Sequence, residues 1–311
     1  MRQSILKWSL YLFALLVAGP ALASLAGNLR DAGGGHAATL LLTSNVGAGL
    51  LAGVAALGGA LVIGVVGARL VAVGTGCTLA GIVLAWCGWR LGSLEDLARL
   101  PDKQVPLMLL AVENGLVAAV GAAIAFACVK FGRGLWSADN GTAMSSLPDP
   151  TEPPTRAALG TAFGAGVVGC ALLTFFVANN GLKGQTLAAA TIGGLAAAIM
   201  GQLVLAGKRS LITPVIPAAS VVIVAVLGPI AAAILHGSKL DAAIYAGDVL
   251  PLARPISLEW AAGALMGVPL GLSWTATSVD PAAVERFGPG NSGNAAGQFA
   301  ANVVGDSLTN R

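Results

Sequence analysis

Two adjacent polar residues, Glu113 and Asn114, interrupt a long apolar stretch and are the residues best placed to do chemistry. Counted from Pro106 at the start of that stretch, Glu113 would lie about 10 Å along a helix, too deep to act as a surface cap. An acid at the centre of a membrane span costs about 2.5 to 3.5 kcal/mol and needs a proton, an ion or a hydrogen-bond partner. The pair therefore indicates either ion or proton handling or a buried structural hydrogen bond.

Three further ionisable residues stand at the ends of neighbouring apolar stretches. Arg90 is the nearest candidate partner for Glu113 by topology, and His236 and Glu259 occupy a related place in the second half of the chain. Together these five residues are the candidate ion or proton site. The alternative is structural, because Arg90 and His236 at span ends can reach the membrane surface, and Glu259 can complement the positive end of its helix.

Other kinds of chemistry have little support in the sequence. The stretch from Gly164 to Gly169 satisfies the G-x-G-x-x-G pattern, but it lies inside an apolar run and follows no strand. Two His and four dispersed Cys offer no clustered metal ligands, and no nucleophile stands with a base. We expect no enzymatic activity, no cofactor and no metal. The net charge of +3 is spread over loops, which argues against a nucleic-acid partner.

The composition dictates the elements that carry these residues. The chain is 56% hydrophobic and only 10% charged, with a mean hydropathy of +0.82. In hydrocarbon every backbone N–H and C=O must be paired, which selects helices. The sequence predicts an all-α integral membrane protein, a polytopic bundle of about eight transmembrane helices in the lipid bilayer. The predicted spans are 5–26, 39–66, 70–90, 106–130, 157–178, 186–206, 211–236 and 259–278.

The spans fall into two membrane halves, residues 1–131 and 157–278. A Pro-rich linker, 132–156, separates them, and a slight excess of Lys and Arg places it in the cytoplasm. Residues 279–311 form a polar tail. Residues 1–23 have a second interpretation as a cleavable signal peptide. We expect a multi-pass protein of a cell membrane, most simply a bacterial inner membrane.

The halves resemble each other after the third span of each. The sequences GSLEDLARLPDKQVPL and GSKLDAAIYAGDVLPL share identical residues at Gly92/Gly237, Ser93/Ser238, Asp96/Asp241, Ala98/Ala243, Pro106/Pro251 and Leu107/Leu252. Each copy contains S-x-x-D, which predicts a short surface helix. Four spans per half would make the copies parallel repeats. The alternative is that a shared richness in Gly and Ala makes the halves look alike.

Small residues at four-residue spacing predict where helices approach closely. The glycines concerned are Gly263, Gly267 and Gly271 in the last span, Gly49 and Gly53 in the second, and Gly160 and Gly164 in the fifth. Packing within the bundle is one interpretation, and a homodimer seam on the last span is the other.

Two classes of function remain. The first is a transporter or permease for a small solute or cation, in which the two halves enclose a cavity and Glu113 binds a proton or ion. The second is a non-catalytic membrane subunit or scaffold that packs in a larger membrane assembly through its glycine faces.

Overall fold

The computed structural model describes residues 2–98, 107–132, 155–206 and 213–279, and its regular elements in these ranges are all helices. The predicted linker, apart from its ends, and nearly all of the predicted tail lie outside the described residues. The α-helices are α1 Arg2–Phe13, α2 Gly19–Gly27, α3 Val46–Leu70, α4 Val73–Arg90, α5 Leu94–Ala98, α6 Leu107–Phe131, α7 Arg156–Val177, α8 Lys183–Ala206, α9 Val215–His236, α10 Leu240–Ala246 and α11 Ser257–Val279. A π-helical turn, Ala14–Ala18, joins α1 to α2, and 3₁₀ turns occupy Gly237–Lys239 and Pro251–Ala253.

Seven helical stretches in the described residues are long and apolar enough to cross a membrane, which is typical of a multi-pass membrane protein. They are Gln3–Gly27, Val46–Leu70, Val73–Leu97, Leu107–Phe131, Arg156–Val177, Lys183–Leu205 and Val215–Ala246. The sequence predicted about eight. The remaining long helix, α11, has 23 residues but is less apolar, because it includes Glu259, Pro269 and several Gly, Ser and Thr residues.

The least apolar long helix, α11, lies at the centre of the bundle. It packs against α8, α4, α6 and α9, and its residues from Ser257 to Leu272 are almost all buried. Trp260 is completely enclosed. The long helices around it and beyond present exposed Leu, Val, Ile and Phe side chains on their outer faces. The polar residues of α11 are therefore kept inside the protein, where neighbouring helices can satisfy them.

The glycine stripe of α11 fits against α8 of the same chain. A Cβ at Gly263 would meet Ala190, one at Gly267 would meet the carbonyl of Thr191, and one at Gly271 would meet the carbonyl of Leu195. Backbones this close require glycine. The stripe is filled by α8 and is not an open face.

The second predicted span begins seven residues later than expected. Residues 39–45 were predicted as helix, but residues 37–45 lie outside any helix, and α3 starts only at Val46. Asn45 caps it, because its side-chain oxygen accepts a hydrogen bond from the Ala48 N–H. Gly49 and Gly53 lie against this segment, since a Cβ at Gly49 would collide with the Leu40 carbonyl. We call residues 37–45 the buried segment after its first four residues, which are buried, although Ser44 and Asn45 at its end are exposed.

Short helices occupy the two places where the repeated sequence predicts them, α5 after α4 and α10 after α9. At α5 the carboxylate of Asp96 accepts hydrogen bonds from the Ser93 N–H at 2.7 Å and its hydroxyl at 3.2 Å. Helices α5 and α10 contact each other. They lie at the same end of the bundle as the buried segment, because the Gly92 N–H donates to the Ala37 carbonyl just before α5.

Candidate functional site

Glu113 is almost fully buried and receives three hydrogen bonds. Its Oε1 accepts from the Leu40 N–H at 2.9 Å and from the Ser257 hydroxyl at 2.7 Å, and its Oε2 accepts from the Leu41 N–H at 3.0 Å. The two N–H groups are donors that the non-helical backbone of the buried segment leaves available. One side chain of α6 thus connects the buried segment to the start of α11.

The position of Ser257 adds to the stabilisation of this carboxylate. Ser257 is the first residue of α11, so Glu113 lies at the positive end of the helix dipole. Hydrogen bonds to a charged group contribute about 1.5 to 3 kcal/mol each. The set of donors can therefore hold an acid at this depth without a cationic side chain.

Asn114 satisfies a carbonyl that a proline leaves unpaired. Pro229 lies inside α9 and has no N–H to donate to Ala225, four residues earlier. The Asn114 amide donates to that Ala225 carbonyl at 3.2 Å, so it takes the place of the missing helical bond. Its own Oδ1 is buried and has no partner among the described residues, and the same is true of Trp260 Nε1.

Glu259 performs two tasks with its two oxygens. Oε2 accepts from the Ile256 N–H at 3.0 Å and so caps α11, and Oε1 pairs with the Lys183 ammonium at 3.0 Å. Lys183 is the first residue of α8, so this ion pair joins the starts of α8 and α11. Glu259 is 2% exposed and Lys183 18%, which shields the pair from solvent. We call the end of the bundle that holds Glu113 and Glu259 the carboxylate end.

Arg254 is a buried cation that the sequence did not single out. It precedes α11 and donates through Nη2 to the Gly247 carbonyl, while its Nε has no partner among the described residues. Burial lowers the pKa of its guanidinium, and the charges of Glu95 and Asp248 oppose that shift. The arginine therefore links the loop after α10 to the region of α5.

The structure does not bring the remaining two predicted site residues into this network. Arg90 is exposed at the end of α4, where it lies beside Gly27. His236 is half-buried at the end of α9. Glu113 and Glu259 thus meet at the first turn of α11 and Asn114 bonds to α9, while Arg90 and His236 remain outside these hydrogen bonds.

A cavity of about 510 Å³ opens on the opposite side of this network. Its walls are α1, α4, α8 and α11, so that both halves of the chain contribute. It extends from the middle of the bundle toward the end where α6 leads to the linker, which we call the linker end. Its lining residues are Lys7, Tyr11, Ala72, Gly74, Thr75, Thr78, Thr191, Met266, Pro269, Leu270 and Ser273.

Besides Lys7, the polar groups of this cavity wall are the hydroxyl oxygens of Tyr11, Thr75, Thr78, Thr191 and Ser273. Pro269 also lines the cavity, and α11 continues as one helix past this proline. The hydroxyl oxygens are suited to a small polar solute.

Within the described ranges, no three His, Cys, Asp or Glu side chains come together as a metal-binding group. The four cysteines are buried and not joined by disulfides. Comparison with known proteins identifies no relative: no family model, no curated protein and no solved structure matches the chain. Its function must be inferred from the site itself.

Sequence reasoning selected the buried acids but missed most of their partners. Backbone N–H groups such as those of Leu40 and Leu41 have no signature in a sequence, and this segment resembles the start of a span because it is apolar. The sequence did contain a pattern from which the hydrogen bond of Asn114 could be predicted. A proline well inside an apolar stretch frees one carbonyl, and an amide on another span is the natural donor.

Proposed function

We propose that the protein is a permease that moves a small solute between its two membrane halves. The observation that carries this is the difference between the two ends. At the linker end a cavity of about 510 Å³ lies between the halves, whereas at the carboxylate end the Ser257 hydroxyl of the second half donates to the Glu113 carboxylate of the first. A cavity open on one side and closed on the other is what one state of an alternating-access transporter requires.

In this proposal Glu113 acts as a latch at the carboxylate end. It holds α6, the buried segment and α11 together, and Glu259 holds α8 to α11 through Lys183. Opening this end by moving the halves apart would break the Glu113–Ser257 bond, which joins residues 1–131 to residues 157–278, whereas the Glu259–Lys183 pair would move with the second half. Protonation of Glu113 would weaken its three bonds, because they are strongest to a charged acceptor. Glu113 would thereby couple proton binding to solute movement.

We propose that α11 is the eighth span and that the halves are parallel repeats. The contacts between the halves support a two-fold relation, since α4 packs on α11 as α6 packs on α9. In each pair the third span of one half packs on the fourth span of the other half. Helices α5 and α10, which correspond in sequence, touch each other at one end of the bundle. Inverted repeats would place corresponding helices at opposite ends.

We also propose that the carboxylate end faces outward from a bacterial inner membrane and that residues 1–23 are retained as part of the first span. The packing of the first helix against α3 and α4 supports the retention of residues 1–23. A Cβ at Gly19 would collide with Trp86 of α4, and one at Gly59 of α3 would collide with Leu22. The part of the first helix around Gly19 and Leu22 is therefore closely fitted to α3 and α4.

The test is uptake by proteoliposomes of a panel of labelled sugars, amino acids and organic acids. We expect saturable uptake of one class, abolished by Glu113→Gln while the variant still folds. Substitution of the exposed Arg69 by Gln, at the linker end of α3, serves as the control and should leave uptake intact. Undiminished uptake by Glu113→Gln would remove its assigned role. Absence of any uptake by the wild-type protein would favour the alternative, a non-catalytic subunit of a larger membrane assembly.

A further inference from the structure

Three of the hydroxyl groups that line the cavity at the linker end have already used their hydrogens. Each donates to a carbonyl of its own helix: Thr78 to Gly74 at 2.9 Å, Thr191 to Leu187 at 2.9 Å and Ser273 to Leu270 at 2.7 Å. Serine and threonine in helices commonly bond back in this way. A hydroxyl has one hydrogen and two lone pairs, so these three groups can accept hydrogen bonds from a solute but cannot donate to it.

We propose that the solute is a neutral polyhydroxy compound, a sugar or sugar alcohol, whose O–H groups donate to these three oxygens. This deepens the proposed function and rests on it. The acceptors come from both halves of the chain, because Thr78 belongs to α4, Thr191 to α8 and Ser273 to α11. A solute bonded to all three lies between the halves, where transporters built from repeats hold their substrates.

The three acceptors are spread along the cavity. Thr191 lies at the level of Gly267 on α11, since a Cβ at Gly267 would meet the Thr191 carbonyl. Ser273 lies about 9 Å further along α11 toward the linker end, at the usual rise of about 1.5 Å per residue. Several hydroxyl groups along one carbon skeleton suit this spread better than a single donor group. The volume of about 510 Å³ is within the usual range of small-molecule sites.

The cavity wall favours a solute without charge. Lys7 already interacts with another group of the protein, so its ammonium is not assigned to the solute. None of the residues that line the cavity, all of them described, is acidic, so a cation or the ammonium of an amino acid would meet no carboxylate there. A carboxylate of the solute could not donate to the three hydroxyl oxygens, and its lone pairs would face theirs.

The rest of the wall suits the carbon skeleton of such a solute. Ala72, Met266, Pro269 and Leu270 contribute apolar surface between the hydroxyl groups. Small-molecule sites are typically lined mainly by apolar side chains, with a few polar groups that fix the orientation of the ligand. The C–H groups of a sugar can pack on this surface while its O–H groups reach the three acceptors.

Binding of labelled D-glucose, D-ribose, D-mannitol and myo-inositol to the wild-type protein in nanodiscs, measured by scintillation proximity, tests the solute class. We expect saturable binding of at least one of them. Each hydroxyl of that probe is then replaced in turn by fluorine, which is similar in size but cannot donate a hydrogen bond. At least one such analogue should bind about threefold to tenfold more weakly, the equivalent of one neutral hydrogen bond.

Removal of the acceptors provides the second arm. Thr78→Val and Thr191→Val keep the shape of the side chain, and each should raise the Kd of the probe about threefold to tenfold. Thr161→Val is the matched control, because Thr161 of α7 donates to the Ala157 carbonyl at 2.9 Å in the same way but does not line the cavity. It should leave the Kd unchanged. A fluorinated analogue that has lost its bond to one threonine should bind the corresponding valine variant with no further loss.

The analogue series uses the wild-type protein, so it decides the matter even if a variant fails to fold. The inference would be overturned if none of the four probes bound saturably, if a labelled amino acid or organic acid bound more tightly than all of them, or if every fluorinated analogue bound as well as its parent. An equal effect of Thr161→Val and the two cavity variants would also overturn it.

Failure of this inference and failure of the proposed function have different signatures. Saturable binding that depends on Thr78 and Thr191, without uptake of the same probe by proteoliposomes, would establish the polyhydroxy site and refute the permease. Saturable uptake of a charged solute without such binding would support a permease and refute the neutral polyhydroxy compound as its substrate.

Discussion

Replacing Glu113 by Gln should expose the amides of Leu40 and Leu41 to hydrogen exchange. The change keeps the shape of the side chain but removes its charge and replaces one acceptor oxygen by an NH₂ group. If the remaining oxygen keeps the Leu40 N–H and the Ser257 hydroxyl, the new NH₂ group faces the Leu41 N–H, donor against donor. The buried segment then loses at least one charge-assisted bond.

The expected increase in exchange rate follows from the loss of this hydrogen bond. A hydrogen bond to a charged group contributes about 1.5 to 3 kcal/mol, which corresponds to about a tenfold to a hundredfold change in a local opening equilibrium. Amides that exchange through local opening should accelerate by that factor. The assay is hydrogen–deuterium exchange with mass spectrometry on the protein in nanodiscs, followed in peptides that cover residues 37–45.

Ser257→Ala is the graded control for this experiment. It removes the hydroxyl donor but leaves both backbone N–H groups bonded to the carboxylate, so exchange at Leu40 and Leu41 should change only slightly. Exchange in Glu113→Gln that stays at the wild-type rate would refute the latch, as would an equal acceleration in Ser257→Ala.

Three further outcomes are expected. Asn114→Leu should lower stability in detergent by about 1 to 3 kcal/mol, because the carbonyl freed by Pro229 loses its donor, and adding Pro229→Ala should recover part of the loss in a double-mutant cycle of denaturant midpoints. Gly267→Ala should markedly lower the melting temperature because α8 leaves no room for a Cβ, whereas Gly164→Ala, where the space is open, should leave it unchanged. The intact mass of protein extracted from the membrane should include residues 1–23, and a mass lacking them would refute their retention.

The sequence was informative where composition alone determines structure. Apolar runs bounded by charged residues predicted all eight long helices to within a few residues, with one exception at the start of α3. The later start of α3 has a physical cause. Ala37, Ala38 and the three leucines that follow Thr39 are as apolar as a helix of the bundle, but Glu113 accepts hydrogen bonds from the backbone N–H groups of Leu40 and Leu41.

Partners were harder to predict than the residues that need them. A buried carboxylate indicates that some donor must exist, but Arg90 was the nearest charged residue by topology and the donors are an alcohol and two amides. Long-range pairs such as Glu259 with Lys183 depend on which helices pack together, and that arrangement is not contained in a single apolar run. The glycine stripe of α11 predicted a close approach but not the identity of α8 as its neighbour.

The position of α11 has a consequence for how the protein is made. Helix α11, against which α4, α6, α8 and α9 pack, is also the last long helix in the described part of the chain, and it is less apolar than the seven stretches long and apolar enough to cross a membrane. A ribosome that stopped before Ser257 would leave Glu113 without its alcohol, Glu259 absent and a vacant channel between α4, α6 and α8. Because α11 supplies both Ser257 and Glu259, the Glu113–Ser257 bond and the Glu259–Lys183 ion pair can form only after α11 has been synthesised.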